Sequence, residues 1–141
     1  MKSSINYKMR QSAFLALSIL FFTSCTKNFA RHDVSEISAK KLYNLIIKNE
    51  AIMIVDVRTN KEFSEGHIPQ AINIDYYSPK LDALLSNLPK DKTIICYCSY
   101  GLRSKNVAIR LKNQGYKKVL SLRGGLVEWV KRGFPIEKVQ N

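Results

Sequence analysis

Residues 93–104 read TIICYCSYGLRS, and they run a β-type apolar segment directly into a short loop that opens with a cysteine. The β-branched residues of 93–97 favour a buried strand, so Cys98 lies where a strand ends and a helix begins. A thiol in this position faces the unpaired N–H groups and the positive dipole end of the helix, which favour thiolate and can hold an anion. Arg103 adds a permanent positive charge to the same loop. The sequence therefore predicts a nucleophilic cysteine inside a small anion-binding loop.

Strand and helix patterns alternate along the rest of the chain. Strands are predicted near 33–34 and over 51–57, 71–74, 93–97 and 119–120. Helices are predicted over 39–48 after the N-cap Ser38, over 60–65 and 78–88, then around Val107 up to a cap at Gly115, and around Trp129. Such β–α alternation predicts a parallel sheet with helices on both faces. Ligands bind beyond the carboxyl ends of the strands in such sheets, which is where Cys98 falls.

The cysteine loop also resembles the active-site loop of the rhodanese-like sulfurtransferases. Residues 54–58 (IVDVR) and 62–74 (EFSEGHIPQAINI) are similar to the first signature of that family, and residues 122–125 (LRGG), Trp129 and residues 133–135 (GFP) are similar to its second. The segments occur in the family's order and together cover residues 33–139. Gln70 departs from the pattern, because the family usually has glycine there. The resemblance implies an α/β fold with a five-stranded, mostly parallel sheet and helices on both faces.

The resemblance implies an activity and a set of site residues. Cys98 is expected to take sulfane sulfur from a small donor anion such as thiosulfate, to hold it as a persulfide and to pass it to cyanide or a thiol. The substrate-binding residues of the loop are expected to be Ser99, Tyr100, Gly101, Leu102, Arg103 and Ser104. Asp56 and Arg58 are expected to support the loop rather than to react. No cofactor is implied.

Other functions compete with this interpretation. Rhodanese domains also serve as persulfide carriers or sulfur-relay binding modules, in which case the acceptor would be a protein. Related folds host cysteine-dependent phosphatases and arsenate reductases, but their loop is one residue longer than the one between Cys98 and Arg103. The shorter loop favours sulfur over phosphate or arsenate.

The remaining candidate groups are interpreted as scaffold. Cys96 is predicted to be a small buried side chain, with a resolving thiol for Cys98 as the alternative. His67 is expected to make a structural hydrogen bond, and Trp129 is expected to pack in the core with Leu126 and Val130. No group of histidine, cysteine and acidic residues has metal-ligand spacing, so no metal is predicted.

The first 24 residues have the layout of an export signal. Lys2, Lys8 and Arg10 precede the apolar run 13–22, which is too short for a membrane span of about 20 residues. Residues 23–25 (TSC) resemble the end of a bacterial lipoprotein signal. We expect residues 1–24 to be cleaved, Cys25 to carry the lipid, and a tether over 25–32 to lead to a domain over 33–141. Cleavage nearby to give a soluble periplasmic protein is the second interpretation, and an uncleaved anchor is the third.

The chain is strongly basic, with a formal net charge of +12. Loss of residues 1–24 would remove Lys2, Lys8 and Arg10 and no acid, leaving +9. Such a charge favours encounter with small anions and with an anionic membrane surface. An export signal and dispersed lysines argue against nucleic acid as a partner. The predicted location is the periplasmic face of a bacterial membrane, through a lipid on Cys25.

Overall fold

The computed structural model describes residues 33–139. The strands are β1 (Glu36–Ile37), β2 (Ile52–Asp56), β3 (Ile72–Asn73), β4 (Thr93–Tyr97) and β5 (Val119–Leu122). The helices of this region are α1 (Ala39–Ile47), α2 (Asn60–Glu65), α3 (Leu81–Ser86), α4 (Leu102–Asn113) and α5 (Gly125–Lys131). Strands and helices therefore alternate along the described chain, as the sequence pattern predicts.

The five strands form one parallel sheet in the order β1-β5-β4-β2-β3. The central strand, β4, pairs with β2 through the register Val55 to Cys96 and with β5 through Cys96 to Ser121. Central parallel strands are buried on both faces, which accounts for the nearly continuous apolar character of residues 93–97. The predicted five-stranded parallel α/β fold is confirmed.

Each face of the sheet carries its own apolar core. On one face, Ile94, Cys96 and Cys98 of the β4 region pack with buried residues of α3 and α4. On the opposite face, Ile95 and Tyr97 pack with α1, α5 and Ile68. Alternate side chains of a strand point to opposite faces, so this division follows from the pleat of β4. Trp129 of α5 is fully buried, as predicted, whereas Val130 is half exposed, so its predicted place in the core is wrong.

The ends of several elements differ from the sequence prediction. The helix predicted over 78–88 is shorter, because Pro79 disfavours helical backbone at Ser78 and the chain makes turns until Lys80. The first strand begins at Glu36 rather than near 33–34, since it is defined by its pairing with β5. The last strand extends to Leu122 for the same reason. The N–H of Arg123, the residue after β5, donates to the Ile37 carbonyl. Helix α2 and strand β4 have the predicted bounds.

The start of α5 is bound directly to the loop that follows β4. The N–H of Leu126 donates to the Cys98 carbonyl at 2.9 Å, and the N–H of Val127 donates to the Ser99 carbonyl at 3.1 Å. Gly125 lies in the left-handed region with φ of 58°, against these same carbonyls. A Cβ at this position would lie 2.6 Å from the Ser99 carbonyl oxygen and would also clash with that of Cys98. Glycine is therefore required where α5 meets the loop.

The proposed signal segment 1–24, the lipidation site Cys25 and the tether over 25–32 lie outside the described residues. Within residues 33–139, no helix combines the length and apolar character that a membrane span requires.

Replacement of Gly125 by alanine should destabilise the protein by about 3 kcal/mol, because a strained backbone and a clash with two carbonyls add together. Gly115→Ala is the matched control, since Gly115 also has a positive φ but has nothing within 4 Å of an added Cβ. The control should lose only about 1–2 kcal/mol from backbone strain. Urea unfolding measures both values, and equal losses would contradict the proposed close contact between α5 and the loop.

Candidate active site

Cys98 immediately follows β4 and is only 2% exposed. The chain turns sharply after it, and Gly101 adopts a left-handed φ of 109° before α4 begins at Leu102. This turn directs the Gly101 N–H at the Cys98 Sγ, with a separation of 3.1 Å. The sulfur therefore lies inside the loop, against the N-terminal end of a 12-residue helix.

The backbone of the loop favours the ionised form of Cys98. Burial by itself would raise the pKa of this thiol, but hydrogen bonds from the N–H groups of Ser104, Gly101 and Tyr100 outweigh it and lower the pKa below its ordinary value. Donors aimed at a sulfur stabilise the anion more than the thiol, so the loop favours the thiolate over the thiol.

Ser104 is buried and ties the loop to the neighbouring strand. Its hydroxyl donates to the Gly101 carbonyl at 3.0 Å and lies 2.9 Å from the hydroxyl of Ser121 in β5. These bonds help to fix the turn at Gly101, whose N–H donates to the sulfur. Ser104 lies buried in the first turn of α4, and neither Ser104 nor Gly101 lines the pocket at Cys98.

The positive charge of Arg103 is paired with Glu62. Its guanidinium donates to both carboxylate oxygens, at 2.8 and 2.9 Å, and to the Ser99 hydroxyl at 3.2 Å, while that hydroxyl donates to Glu62 at 3.1 Å. Hydrogen bonds from Arg103 hold the pKa of Glu62 well below its usual range, and the same pair raises the pKa of Arg103. Arg103 lines the site as predicted, but its charge is balanced by a carboxylate that the sequence prediction did not include.

Glu62 reaches the loop because of the way α2 begins. Thr59 follows the end of β2 and forms a capping box, in which the Glu62 N–H donates to the Thr59 hydroxyl and the Glu62 carboxylate accepts the Thr59 N–H. The pattern Thr-x-x-Glu directly after a strand was therefore a signal available in the sequence. A capping box alone does not show which distant residue the carboxylate will meet.

Asp56 and Arg58 form a buried ion pair at the end of β2, with a shortest separation of 2.7 Å. Arg58 also donates to the Gly66 carbonyl and lies over the ring of Tyr97, the last residue of β4. Neither residue lines the pocket at Cys98. They join the ends of β2 and β4 behind the loop, so any support they provide is indirect.

An open pocket of about 410 Å³ lies above Cys98. The predicted residues among those that line it are Cys98, Ser99, Tyr100, Leu102 and Arg103, and the unpredicted ones are Thr59, Glu62 and Tyr77. Cys98 is the only buried residue of this set and forms its base. Tyr100 and Leu102 are 74% and 77% exposed and form the outer wall of the pocket.

The other candidate groups lie outside the pocket. Cys96 is fully buried, and burial raises its pKa to about 12. The His67 ring stacks on Phe63 and its Nδ1 lies 3.0 Å from the Phe63 carbonyl oxygen, which agrees with a structural hydrogen bond. The described part of the chain contains no cluster of histidine, cysteine and acidic side chains arranged to hold a metal.

Known proteins match this chain in sequence and in fold. The rhodanese-like domain family matches residues 38–132 of the chain. A sulfurtransferase of Allochromatium vinosum is 36% identical over 103 residues, which cover 73% of this chain and 94% of that protein. The thiosulfate sulfurtransferase GlpE of Coxiella burnetii is 36% identical over 84 residues, which cover 60% of this chain and 77% of that protein.

A solved structure agrees with these matches. The rhodanese-related protein of Thermoplasma volcanium superposes with a TM-score of 0.65 and 29% identity, over 73% of this chain and 97% of that one. Three findings support the same family: the sheet is parallel, the cysteine loop lies at its carboxyl edge, and the sequence match extends over residues 38–132. The chain belongs to the rhodanese-like domain family.

Proposed function

We propose that this protein is a sulfurtransferase that moves sulfane sulfur through a persulfide on Cys98, from a thiosulfate-type donor to cyanide or a thiol. The observation that carries the proposal is the Cys98 Sγ at the base of an open pocket, where it accepts the Gly101 N–H at 3.1 Å and lies against the N-terminal end of α4. The curated relatives named as sulfurtransferases support the same reaction class.

The first half-reaction transfers one sulfur to the enzyme. The Cys98 thiolate attacks the outer sulfur of thiosulfate, a bond forms between the two sulfur atoms, and the original sulfur–sulfur bond breaks. Sulfite leaves with the electron pair and needs no proton. The persulfide anion that remains is stabilised by the same N–H groups that stabilise the thiolate, because the turn at Gly101 is already formed.

The second half-reaction returns the enzyme to its starting state. Cyanide or a thiolate attacks the outer sulfur of the persulfide, and the Cys98 thiolate leaves with the electron pair. The lowered pKa of Cys98 makes its thiolate a good leaving group. No general base is required, in agreement with the scaffold positions of His67 and Asp56.

Phosphate ester or arsenate chemistry is less well supported by the pocket. Hydrolysis of a phosphate ester benefits from an acid that protonates the departing oxygen. Glu62 is the carboxyl group lining the pocket, but its hydrogen bonds to Arg103 keep its pKa far below neutral, so it carries no proton to donate.

Cys98→Ser should abolish thiosulfate:cyanide sulfurtransferase activity, because serine has no accessible oxyanion to replace the thiolate. Thiocyanate formation measures the rate, and the intact mass after thiosulfate treatment should show one added sulfur in the parent protein and none in the variant. Cys96→Ala serves as control and should keep the activity within about twofold. Persulfide formation without turnover would instead favour a carrier that awaits a protein acceptor.

The alkylation rate of Cys98 should show an ionisation below the ordinary cysteine pKa of about 8.5. Since the lowered pKa increases the thiolate fraction, the rate with iodoacetamide should already be near its maximum where a free cysteine is still mostly protonated. A Cys25→Ser background leaves Cys96 as the internal control, and this fully buried thiol should react only after unfolding. A Cys98 rate that rises only above about pH 8.5 would contradict the role given to the loop donors.

We further propose that the protein is exported and held at the periplasmic face of a membrane by a lipid on Cys25. The proposal rests on the basic start, the short apolar run and the Thr-Ser-Cys sequence. A single lipidated cysteine would leave the domain of residues 33–139 outside the bilayer, with its pocket free to meet small sulfur compounds.

Cys25→Ala should therefore prevent processing and lipid incorporation in a bacterial host. Globomycin, which blocks cleavage of lipoprotein signals, should make the parent protein accumulate in its unprocessed form, and labelled palmitate should no longer enter the variant. Cys98→Ala is the matched control and should be processed normally. Unchanged processing of the parent protein in the presence of globomycin would exclude the lipoprotein interpretation.

A further inference from the structure

Apart from Cys98, the side chains that line the pocket carry no net charge. Its charged members are Glu62 and Arg103, and they satisfy each other through two hydrogen bonds. The anion-stabilising groups are the backbone donors at Cys98 Sγ, at the base of the pocket. Among the described residues that line the pocket, a doubly charged donor such as thiosulfate would find no unpaired cation to balance its second charge.

The rim of the pocket is apolar. Tyr77, Tyr100 and Leu102 line it, and they are 68%, 74% and 77% exposed. Tyr77 comes from the segment after β3, whereas the other two belong to the loop, so the rim borders the thiol from two separate segments. Large apolar side chains exposed around a reactive group favour contact with an apolar part of a ligand.

The pocket is also larger than thiosulfate requires. Thiosulfate has five heavy atoms and occupies on the order of 150 Å³ if each is given the volume of a water molecule, about 30 Å³. The pocket volume of about 410 Å³ leaves room for a further group of at least the size of an aromatic ring. That group would lie between the sulfur at the base and the rim.

We infer that the pocket prefers singly charged organic sulfur donors with an apolar substituent, such as aryl thiosulfonates, and that Tyr77, Tyr100 and Leu102 determine this specificity. The inference rests on the proposed sulfurtransferase function and names its substrate class. Three observations agree on it: the balanced charge, the apolar rim and the surplus volume. Tyr77 and Arg103 are also in cation–π contact at 6.0 Å, which helps to hold that ring beside the pocket.

The transfer from such a donor balances in the same way as with thiosulfate. The Cys98 thiolate attacks the outer sulfur of R–SO₂–S⁻, the sulfur–sulfur bond of the donor breaks, and the sulfinate R–SO₂⁻ leaves with the electron pair. One negative charge stays on the persulfide and one departs with the sulfinate. Substituent R takes no part in the chemistry, so it affects the rate mainly through its contacts and its electronic effect on the leaving group.

The test compares benzenethiosulfonate with methanethiosulfonate, which carry the same charge and the same transferable sulfur. The ratio of their kcat/KM values should fall about tenfold in Leu102→Ser and in Tyr100→Ser, because the phenyl group loses apolar contact. The difference in intrinsic reactivity between the two donors cancels when the ratio is compared between variants. Ile47→Ser is the control, since Ile47 is an exposed apolar residue at the end of α1 that does not line the pocket, and its ratio should stay at the parent value.

A second variant tests whether the pairing of Arg103 with Glu62 weakens the binding of thiosulfate. Glu62→Gln keeps a side chain that can complete the capping box, but it leaves Arg103 without a counter-charge. The KM for thiosulfate should fall about fivefold, the size of effect expected for one unit charge a few ångströms away in water. Glu128→Gln removes the same charge from an exposed pair with Arg132 outside this pocket, and should leave that KM unchanged.

The outcomes separate the inference from the function on which it rests. Turnover of both thiosulfonates with a ratio that the rim variants leave unchanged would overturn the inference and retain the sulfurtransferase function. Absence of a Cys98 persulfide with either donor, from folded parent protein, would overturn both. If one rim variant fails to fold by circular dichroism, the other still decides the question.

Discussion

The hydrogen bonds between the start of α5 and the carbonyls of Cys98 and Ser99 are the constraint on which the site depends. They fix the two carbonyls at the start of the loop, and the Gly101 N–H that follows them donates to the sulfur. Gly125 permits the approach, because any Cβ would collide with the same carbonyls. The turn at Gly101 and the bond from Ser104 to its carbonyl complete the arrangement. The donors are therefore in place before any substrate arrives, which is the basis of electrostatic preorganisation.

The backbone and the side chains of the loop contribute differently to the electrostatics at Cys98. Backbone N–H groups lower the pKa of Cys98, whereas the guanidinium of Arg103 is neutralised by Glu62 and hydrogen-bonded to Ser99. The Glu62–Arg103 pair is partly exposed, so it contributes only modestly to stability. Its larger effect is positional, since it joins α2 to α4 across the pocket. Arg103 therefore connects two helices as well as carrying a positive charge.

Much of the fold was predictable because the pattern of each segment matches its final environment. The strand at 93–97 is apolar throughout and is buried on both faces, and the helix at 60–65 begins with a capping signal that the structure uses. Predictions failed where tertiary contacts set the boundary. The strand predicted near residue 34 begins later, because its start is set by the residues that pair with β5. Val130 is half exposed, although its neighbour Trp129 is fully buried.

The sequence by itself determined the class of fold, the position of the reactive thiol at a strand-to-helix junction and the family, because these follow from local patterns and from ordered motifs. The partners of the loop were decided only by the tertiary structure. Glu62, Tyr77 and Ser121 come from separate parts of the chain, and their distances from Cys98 depend on how the strands are ordered in the sheet. No local pattern encodes that order, so the balanced charge and the apolar rim of the pocket exist only in the folded chain.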